Sequence, residues 1–176
     1  MATVSAFTER NLNGQGFSYL DLDAKSRYAL PLRFTPALCV VLIAIGLALQ
    51  SPVWLAALVP IGLSGALFPR GMATDVVYNF GVRHLFGAPS LPPTPKPRRF
   101  SYILSTTLGV GAALAFQFGL PVLGFVLGGF VLVGATILTT TLWCLGSWIY
   151  RMTFSRRLVV RQSGRRVAAD GRGIVR

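Results

Sequence analysis

The stretch FSYILSTTLGVGAALAFQFGLPVLGFVLGGFVLVGATILTTTLWCLGSWIY, Phe100 to Tyr150, runs for 51 residues without one Asp, Glu, Lys, Arg or His. It opens directly after Lys96-Pro-Arg98-Arg99 and closes directly before Arg151. A second uncharged run, Phe34 to Pro69, covers 36 residues. Amphipathic helices of soluble proteins need a polar face, so a soluble core rarely excludes charge over such lengths. A bilayer imposes the exclusion, because an Arg, Lys or Asp at the centre of a spanning helix costs about 2.5–3.5 kcal/mol. All 17 Lys and Arg and all 5 acids lie outside the two runs, and the mean hydropathy is +0.60. The chain reads as an all-α integral membrane protein.

Each run is too long for one span. Thirty-six helical residues would extend about 54 Å, against a hydrocarbon core of about 30 Å. Proline is tolerated in the first turn of a helix but not within one. Gln50-Ser51-Pro52 therefore divides the first run into helices at about Phe34–Leu49 and Val53–Phe68, the second kinked at Pro60. Gln117 to Pro121 divides the second run into Ser101–Phe116 and a long arm from Val122 to Tyr150, which tilts, extends beyond the bilayer or breaks near Gly128-Gly129 or Gly134. The expected architecture is four transmembrane helices as two hairpins. Residues 1–32 form a cytoplasmic N-terminal tail and 33–69 the first hairpin. Residues 70–99 form a cytoplasmic loop, 100–150 the second hairpin and 151–176 a basic cytoplasmic tail. Matching Arg-Phe openings and Gln/Pro turns give the two hairpins the form of a parallel repeat.

The remaining segments are polar. Residues 1–30 carry Glu9, Arg10, Asp21, Asp23, Lys25 and Arg27 without an apolar core segment, so no cleavable signal peptide is expected and the first span acts as an uncleaved anchor. This tail reads as disordered in isolation, with Phe7, Phe17, Tyr19 and Tyr28 as anchors if it lies along a partner. In the loop, Thr74-Asp75 has the form of a helix N-cap, and Val76, Val77, Phe80 and Leu85 recur at roughly helical spacing. These features predict a short interfacial amphipathic helix. Pro89 to Pro97 follows as an extended, polyproline-like spacer. The turns between helices carry no Lys or Arg, whereas the tails and the loop carry them all, so the positive-inside rule places both termini and the loop in the cytoplasm. The expected location is the bacterial cytoplasmic (inner) membrane.

Most catalytic templates are missing. There is no paired carboxylate near either apolar run, no metal-ligand cluster and no phosphate-binding loop. No ionisable acid or base lies within the spans, which argues against a proton-coupled transporter. His84 is the single histidine, a weak candidate ligand for a metal or pigment; no cofactor and no metal are expected. Cys39 and Cys144 both lie in apolar segments, where a structural disulfide is not expected. Gly62, Gly65, Gly124 and Gly128 are candidate helix-packing positions, with Gly124-x-x-x-Gly128 in the small-xxx-small pattern. Arg151, Arg156, Arg157, Arg161, Arg165 and Arg166 are candidate contacts for anionic lipid headgroups or an acidic partner face. No nucleic-acid motif accompanies that charge.

Cys144-Leu-Gly-Ser147 is the one place where chemistry can be attached. Its form is a Cys-x-x-Cys pair with Ser as the second member. Such a motif activates a thiolate, yet can form only mixed disulfides or persulfides. Trp143, Trp148 and Tyr150 place it in an aromatic belt at the membrane surface. Three features together, Arg33-Phe34, Arg99-Phe100 after a Pro-rich loop, and Cys144-Leu-Gly-x-x-Ile-Tyr150, make the chain resemble a family of bacterial membrane proteins: domain of unknown function 4395. The resemblance covers about Arg33 to Tyr150. Members carry Cys-x-Gly-Cys at the last motif, which implies that Cys144 is the retained thiol and that Ser147 departs from the pattern. The functional expectation is a non-catalytic accessory or scaffold subunit of a membrane complex. The alternatives are a thiol or sulfur-relay protein using Cys144, and a small-solute channel or carrier.

Overall fold

The computed structural model describes residues 4–69 and 72–154. All regular structure among them is helical: α1 (Ala6–Gln15), α2 (Leu22–Ala29), α3 (Pro31–Ala48), α4 (Pro52–Leu67), α5 (Ala73–Val77), α6 (Arg83–Phe86), α7 (Lys96–Gln117) and α8 (Pro121–Thr141). A π-helical turn, Tyr78–Val82, joins α5 to α6, and α9 covers 145–154. Among the described residues, three stretches are long and apolar enough to cross a membrane: Leu22–Ala48, Lys96–Gln117 and Pro121–Thr141. The 16 residues of α4 are equally apolar but span only about 24 Å at 1.5 Å per residue.

Prolines and polar caps set the boundaries. Pro31, Pro52, Pro97 and Pro121 occupy the first turns of α3, α4, α7 and α8, where the missing N–H costs nothing. Ser51 caps α4 by accepting from the Trp54 N–H at 3.2 Å. Helix α7 begins at Lys96, earlier than the charge boundary at Phe100 predicts, so Arg98 and Arg99 lie on the helix itself. The loop helix forms with Met72 at its N-cap. Asp75 instead accepts from the Thr35 hydroxyl at 2.7 Å, and Ser64 of α4 receives the Ala73 N–H at 3.1 Å.

The two tight turns share one backbone pattern. In the first, Leu49, Gln50 and Ser51 N–H groups reach Ile45, Leu47 and Gly46 oxygens; in the second, Phe118, Gly119 and Leu120 reach Leu114, Phe116 and Ala115. Both place a left-handed residue two positions before the proline, Gln50 at φ 48° and Gly119 at φ 70°. This is the Schellman arrangement, which satisfies the last carbonyls of a helix and reverses the chain.

The four long helices then pack crosswise. Helices α3 and α4 meet chiefly at their turn, whereas α3 lies along α8, α4 along α7, and α7 along α8. The core between them is Leu47, Leu55, Ala112 and Ala113, flanked by Ile43, Phe116, Leu127 and Leu132. Glycines permit the approaches. A Cβ on Gly128 would overlap Leu47, one on Gly62 the Thr106 side chain, one on Gly124 Phe116, and one on Gly65 both Met72 and Tyr102.

The N-terminal segment is folded, contrary to the expectation of disorder. Ser5 and Asp21 cap α1 and α2, and Gly16, at φ 100°, ends α1. A side chain at Gly16 would collide with Pro95, so this turn sits directly on the proline-rich spacer. Leu12 and Phe17 are fully buried with Leu32 of α3 and Leu142. The segment lies along its own chain: its few apolar residues seal the end of the bundle opposite the tight turns.

Candidate functional site

The helix expected to run from Val122 to Tyr150 breaks at Leu142–Cys144, not at the glycines. The approach to the break is Thr136, Thr139, Thr140 and Thr141, whose hydroxyls bond back to carbonyls three or four residues earlier. Such back-bonding weakens a helix and offers the backbone an alternative. Thr141 also accepts from the Trp143 N–H at 3.1 Å. Leu142 turns left-handed at φ 54°, a conformation costing a leucine about 1–2 kcal/mol, and its complete burial among Leu12, Phe17 and Leu32 offsets that cost.

A helix end buried without partners would be unstable. Here α1 supplies them: Asn11 Nδ2 donates to the Thr141 carbonyl at 2.7 Å and Gln15 Nε2 to the Leu142 carbonyl at 2.6 Å. Four residues apart on a helix, the two amides share one face. Neither was singled out from the sequence, although the Asn-x-x-x-Gln spacing on an otherwise polar segment is the signal that could have found them.

Beyond the break, Cys144 serves as the N-cap of α9, its carbonyl accepting from the Trp148 N–H at 3.0 Å. The Cys144 Sγ lies 2.9 Å from Ser101 Oγ of α7, and Ser147 Oγ lies 3.4 Å from the same hydroxyl. Ser101 Oγ is also within 3.3 Å of the Pro97 carbonyl, to which it can donate. With its single proton placed there, it accepts from the thiol. A Cβ on Gly146 would stand 2.8 Å from the Ser101 Cα, so the glycine of Cys-Leu-Gly-Ser is what lets α9 reach α7. Cys144 and Ser147 are both buried, and both cysteines are free. Cys39 lines a different space, a cavity of about 90 Å³ between α3, α4, α7 and α8.

Two arginines tie the surrounding helix ends together. Pro36 has no N–H for the Leu32 carbonyl, the partner one turn earlier; Arg98 Nη2 donates to that carbonyl at 3.2 Å. Its Nε donates to the Tyr102 hydroxyl at 3.1 Å, and its guanidinium lies 5.9 Å from the centre of the Phe17 ring. Arg99 Nε and Nη2 donate to Ala66 and Leu67, the last carbonyls of α4, at 2.8 and 2.9 Å. A cation there also complements the negative end of the helix dipole.

Between α1 and α9 opens a groove of about 1140 Å³, lined among others by Arg10, Trp143, Cys144, Trp148 and Arg151. Glu9 at its edge is engaged by buried Lys25 at 3.4 Å. His84 is exposed beside Arg83, whose Nε reaches its Nε2 at 3.4 Å. No group of three or more His, Cys, Asp and Glu gathers among the described residues. Burial pushes the Tyr78 phenol up from its ordinary value, against a smaller opposing effect of Arg83, and it stays neutral at physiological pH. Arg156, Arg157, Arg161, Arg165 and Arg166 lie outside the described residues.

No curated protein and no solved structure gives a significant match to this chain. The family model described as domain of unknown function DUF4395 matches residues 30–154, from the residue before α3 to the last described position of α9. Helices α1 and α2, with Asn11 and Gln15, precede the matched region, whereas Arg98, Arg99, Ser101 and Cys144 fall within it. With most of its length matched, the chain belongs to the DUF4395 family.

Proposed function

We propose that this is a four-span protein of the bacterial cytoplasmic membrane, with both termini in the cytoplasm, whose working part is a thiol site at Cys144. The two uncharged turns support that orientation, since every Lys and Arg lies outside the runs Phe34–Pro69 and Phe100–Tyr150 that contain them. Helix α4, at 16 residues, crosses with local bilayer thinning. The observation that carries the thiol reading is the 2.9 Å contact of Cys144 Sγ with Ser101 Oγ at the N-cap of α9, on the wall of an open groove. Negative charge is favoured at a helix N-terminus, and the Ser101 hydroxyl can turn its one proton from the Pro97 carbonyl to a Cys144 thiolate.

The chemistry is thiol–disulfide exchange with external partners. Cys144, after losing its proton, attacks one sulfur of an external disulfide. A new S–S bond forms, the old one breaks, and the partner leaves as a thiolate with the bonding electrons. A second external thiolate then attacks the mixed disulfide and releases Cys144 reduced. Ser147 cannot close an internal disulfide, so the site is a relay and not a self-resolving pair.

An accessory subunit would grip its partners through Gly-rich helix faces and extended tails. Gly62, Gly65, Gly124 and Gly128 all face neighbours within the chain, and the N-terminal tail is engaged by its own bundle. The test is labelling in native membranes. Cys39→Ala, which keeps Cys144, should form a mixed disulfide with a small-molecule disulfide, and Cys144→Ala should not. Ser147→Cys should form an internal disulfide, visible as loss of two thiol equivalents on oxidation. If Cys144 is unreactive until the protein is unfolded, and a stoichiometric membrane partner co-purifies, the relay reading fails and the accessory reading replaces it.

A further inference from the structure

The groove between α1 and α9 has a composition that a thiol reaction alone does not explain. Arg10 and Gly14 are four residues apart on α1 and so share one face of the helix. A Cβ on Gly14 would lie 3.2 Å from Arg151 Nη1. The Arg151 guanidinium, carried by α9, therefore folds back across α1 one turn from Arg10. Both arginines line the groove. Neither has an acidic partner among the described residues, where the two ion pairs are Lys25–Glu9 and Arg27–Asp23. Glu9, the acid nearest the groove, is engaged by Lys25. The remaining lining is mixed: Phe7, Trp143, Trp148 and Met152 are apolar or aromatic and stand beside the polar Asn11, Asn13 and Thr153; Phe7, Trp148 and Met152 are between 45% and 60% exposed.

Two converging cations with apolar walls match an amphiphile with a negative head. Tryptophans of this kind sit at headgroup depth. A free inorganic anion would leave the apolar walls wet, and a neutral lipid would leave the guanidiniums without a counter-charge. We propose that this groove is a seat for one anionic phospholipid, with its phosphate held by Arg10 and Arg151 and its acyl chains against Trp148 and Met152. The proposal stands apart from the reactivity of Cys144, and it differs from general attraction of a basic tail to the membrane because it needs Arg10, which lies in the N-terminal helix.

The experiment uses the full chain in phosphatidylcholine vesicles containing either brominated phosphatidylglycerol or brominated phosphatidylcholine, and reads quenching of tryptophan emission. Trp54, at the opposite end of the bundle, contributes a constant background. Half-quenching should need roughly 25-fold less of the brominated anionic lipid, about five-fold for each of two charges near a headgroup. Arg10→Gln and Arg151→Gln should each reduce that preference about five-fold, the effect of one charge near a headgroup. The double variant should lose the preference, and Arg10→Lys with Arg151→Lys should keep most of it, which separates charge from folding. The proposal is overturned if the double Gln variant retains the preference, or if Arg156→Gln with Arg157→Gln abolishes it instead. Displacement by millimolar soluble glycerol phosphate would equally overturn it, by marking a site for a soluble anion.

Discussion

The two ends of this bundle solve the same problem in opposite ways. Each must satisfy the carbonyls and N–H groups that helix termini leave over. At the turn end the work is local: the chain leaves one helix and enters the next within three or four residues, main-chain bonds close both turns, and Val53, Phe118 and Val122 are left about three-quarters exposed. At the other end the helices are far apart in sequence, and the free carbonyls are met by side chains from elsewhere. Arg98 reaches Leu32, Arg99 reaches Ala66 and Leu67, and Asn11 and Gln15 reach Thr141 and Leu142. Long-range capping of this kind demands particular residues at particular places. The end that holds Cys144 is therefore the end whose sequence is least free.

That contrast can be broken in order of cost. Arg98→Leu should do most damage, about 3–4 kcal/mol, because it strands a buried carbonyl and phenol and removes the cation packed on Phe17. Thermal unfolding in mild detergent reads the loss, and proteolysis within the first 30 residues should accelerate. Gly146→Ala should cost about 2–3 kcal/mol by driving a methyl group into the Ser101 backbone. Its distinguishing sign is faster alkylation of Cys144 as α9 is pushed off α7; unchanged alkylation would show that the Ser101 contact does not control access. Gln15→Leu should cost about 1–2 kcal/mol through the unmet Leu142 carbonyl.

The turn end should respond least, and in both directions. Gln50→Gly should stabilise by up to about 1 kcal/mol and Gly119→Ala should destabilise by about the same, since both positions need a left-handed backbone and only glycine adopts it freely. Equal signs for the two substitutions would show that the turns are not equivalent. A turn variant that altered Cys144 labelling as strongly as Gly146→Ala would remove the functional contrast between the ends.

The sequence was most readable where structure is local. The uncharged runs mark the long apolar helices, Pro52 and Pro121 mark the turns, and the helix in the loop follows from its apolar spacing. What escaped depends on tertiary contact. Helix α7 extends back through Arg98 and Arg99 because their charges find carbonyls to bond, so a boundary drawn at the last charge falls short. Residues 4–30 have few apolar side chains, and they become ordered because Leu12 and Phe17 meet Leu32 and Leu142. The break at Leu142 has no glycine or proline to announce it; the threonine run before it was visible, but not what a buried leucine would gain by turning left-handed. The motif from Cys144 to Ser147 was legible as chemistry, whereas Ser101, 43 residues away in sequence, was not.

The crosswise packing has a consequence for how the protein is made. A chain emerges from the ribosome N-terminus first, so α3 and α4 are made before their packing partners exist. Touching each other chiefly at the turn, they have little to hold them closed. The α3–α4 pair must wait as an open clasp until α7 and α8 arrive to fill it, and Leu47 cannot settle over Gly128 before then. The seal formed by α1 comes later still, because the carbonyls that Asn11 and Gln15 cap belong to the end of α8. Helix α1, made before α3, is among the last to find its place.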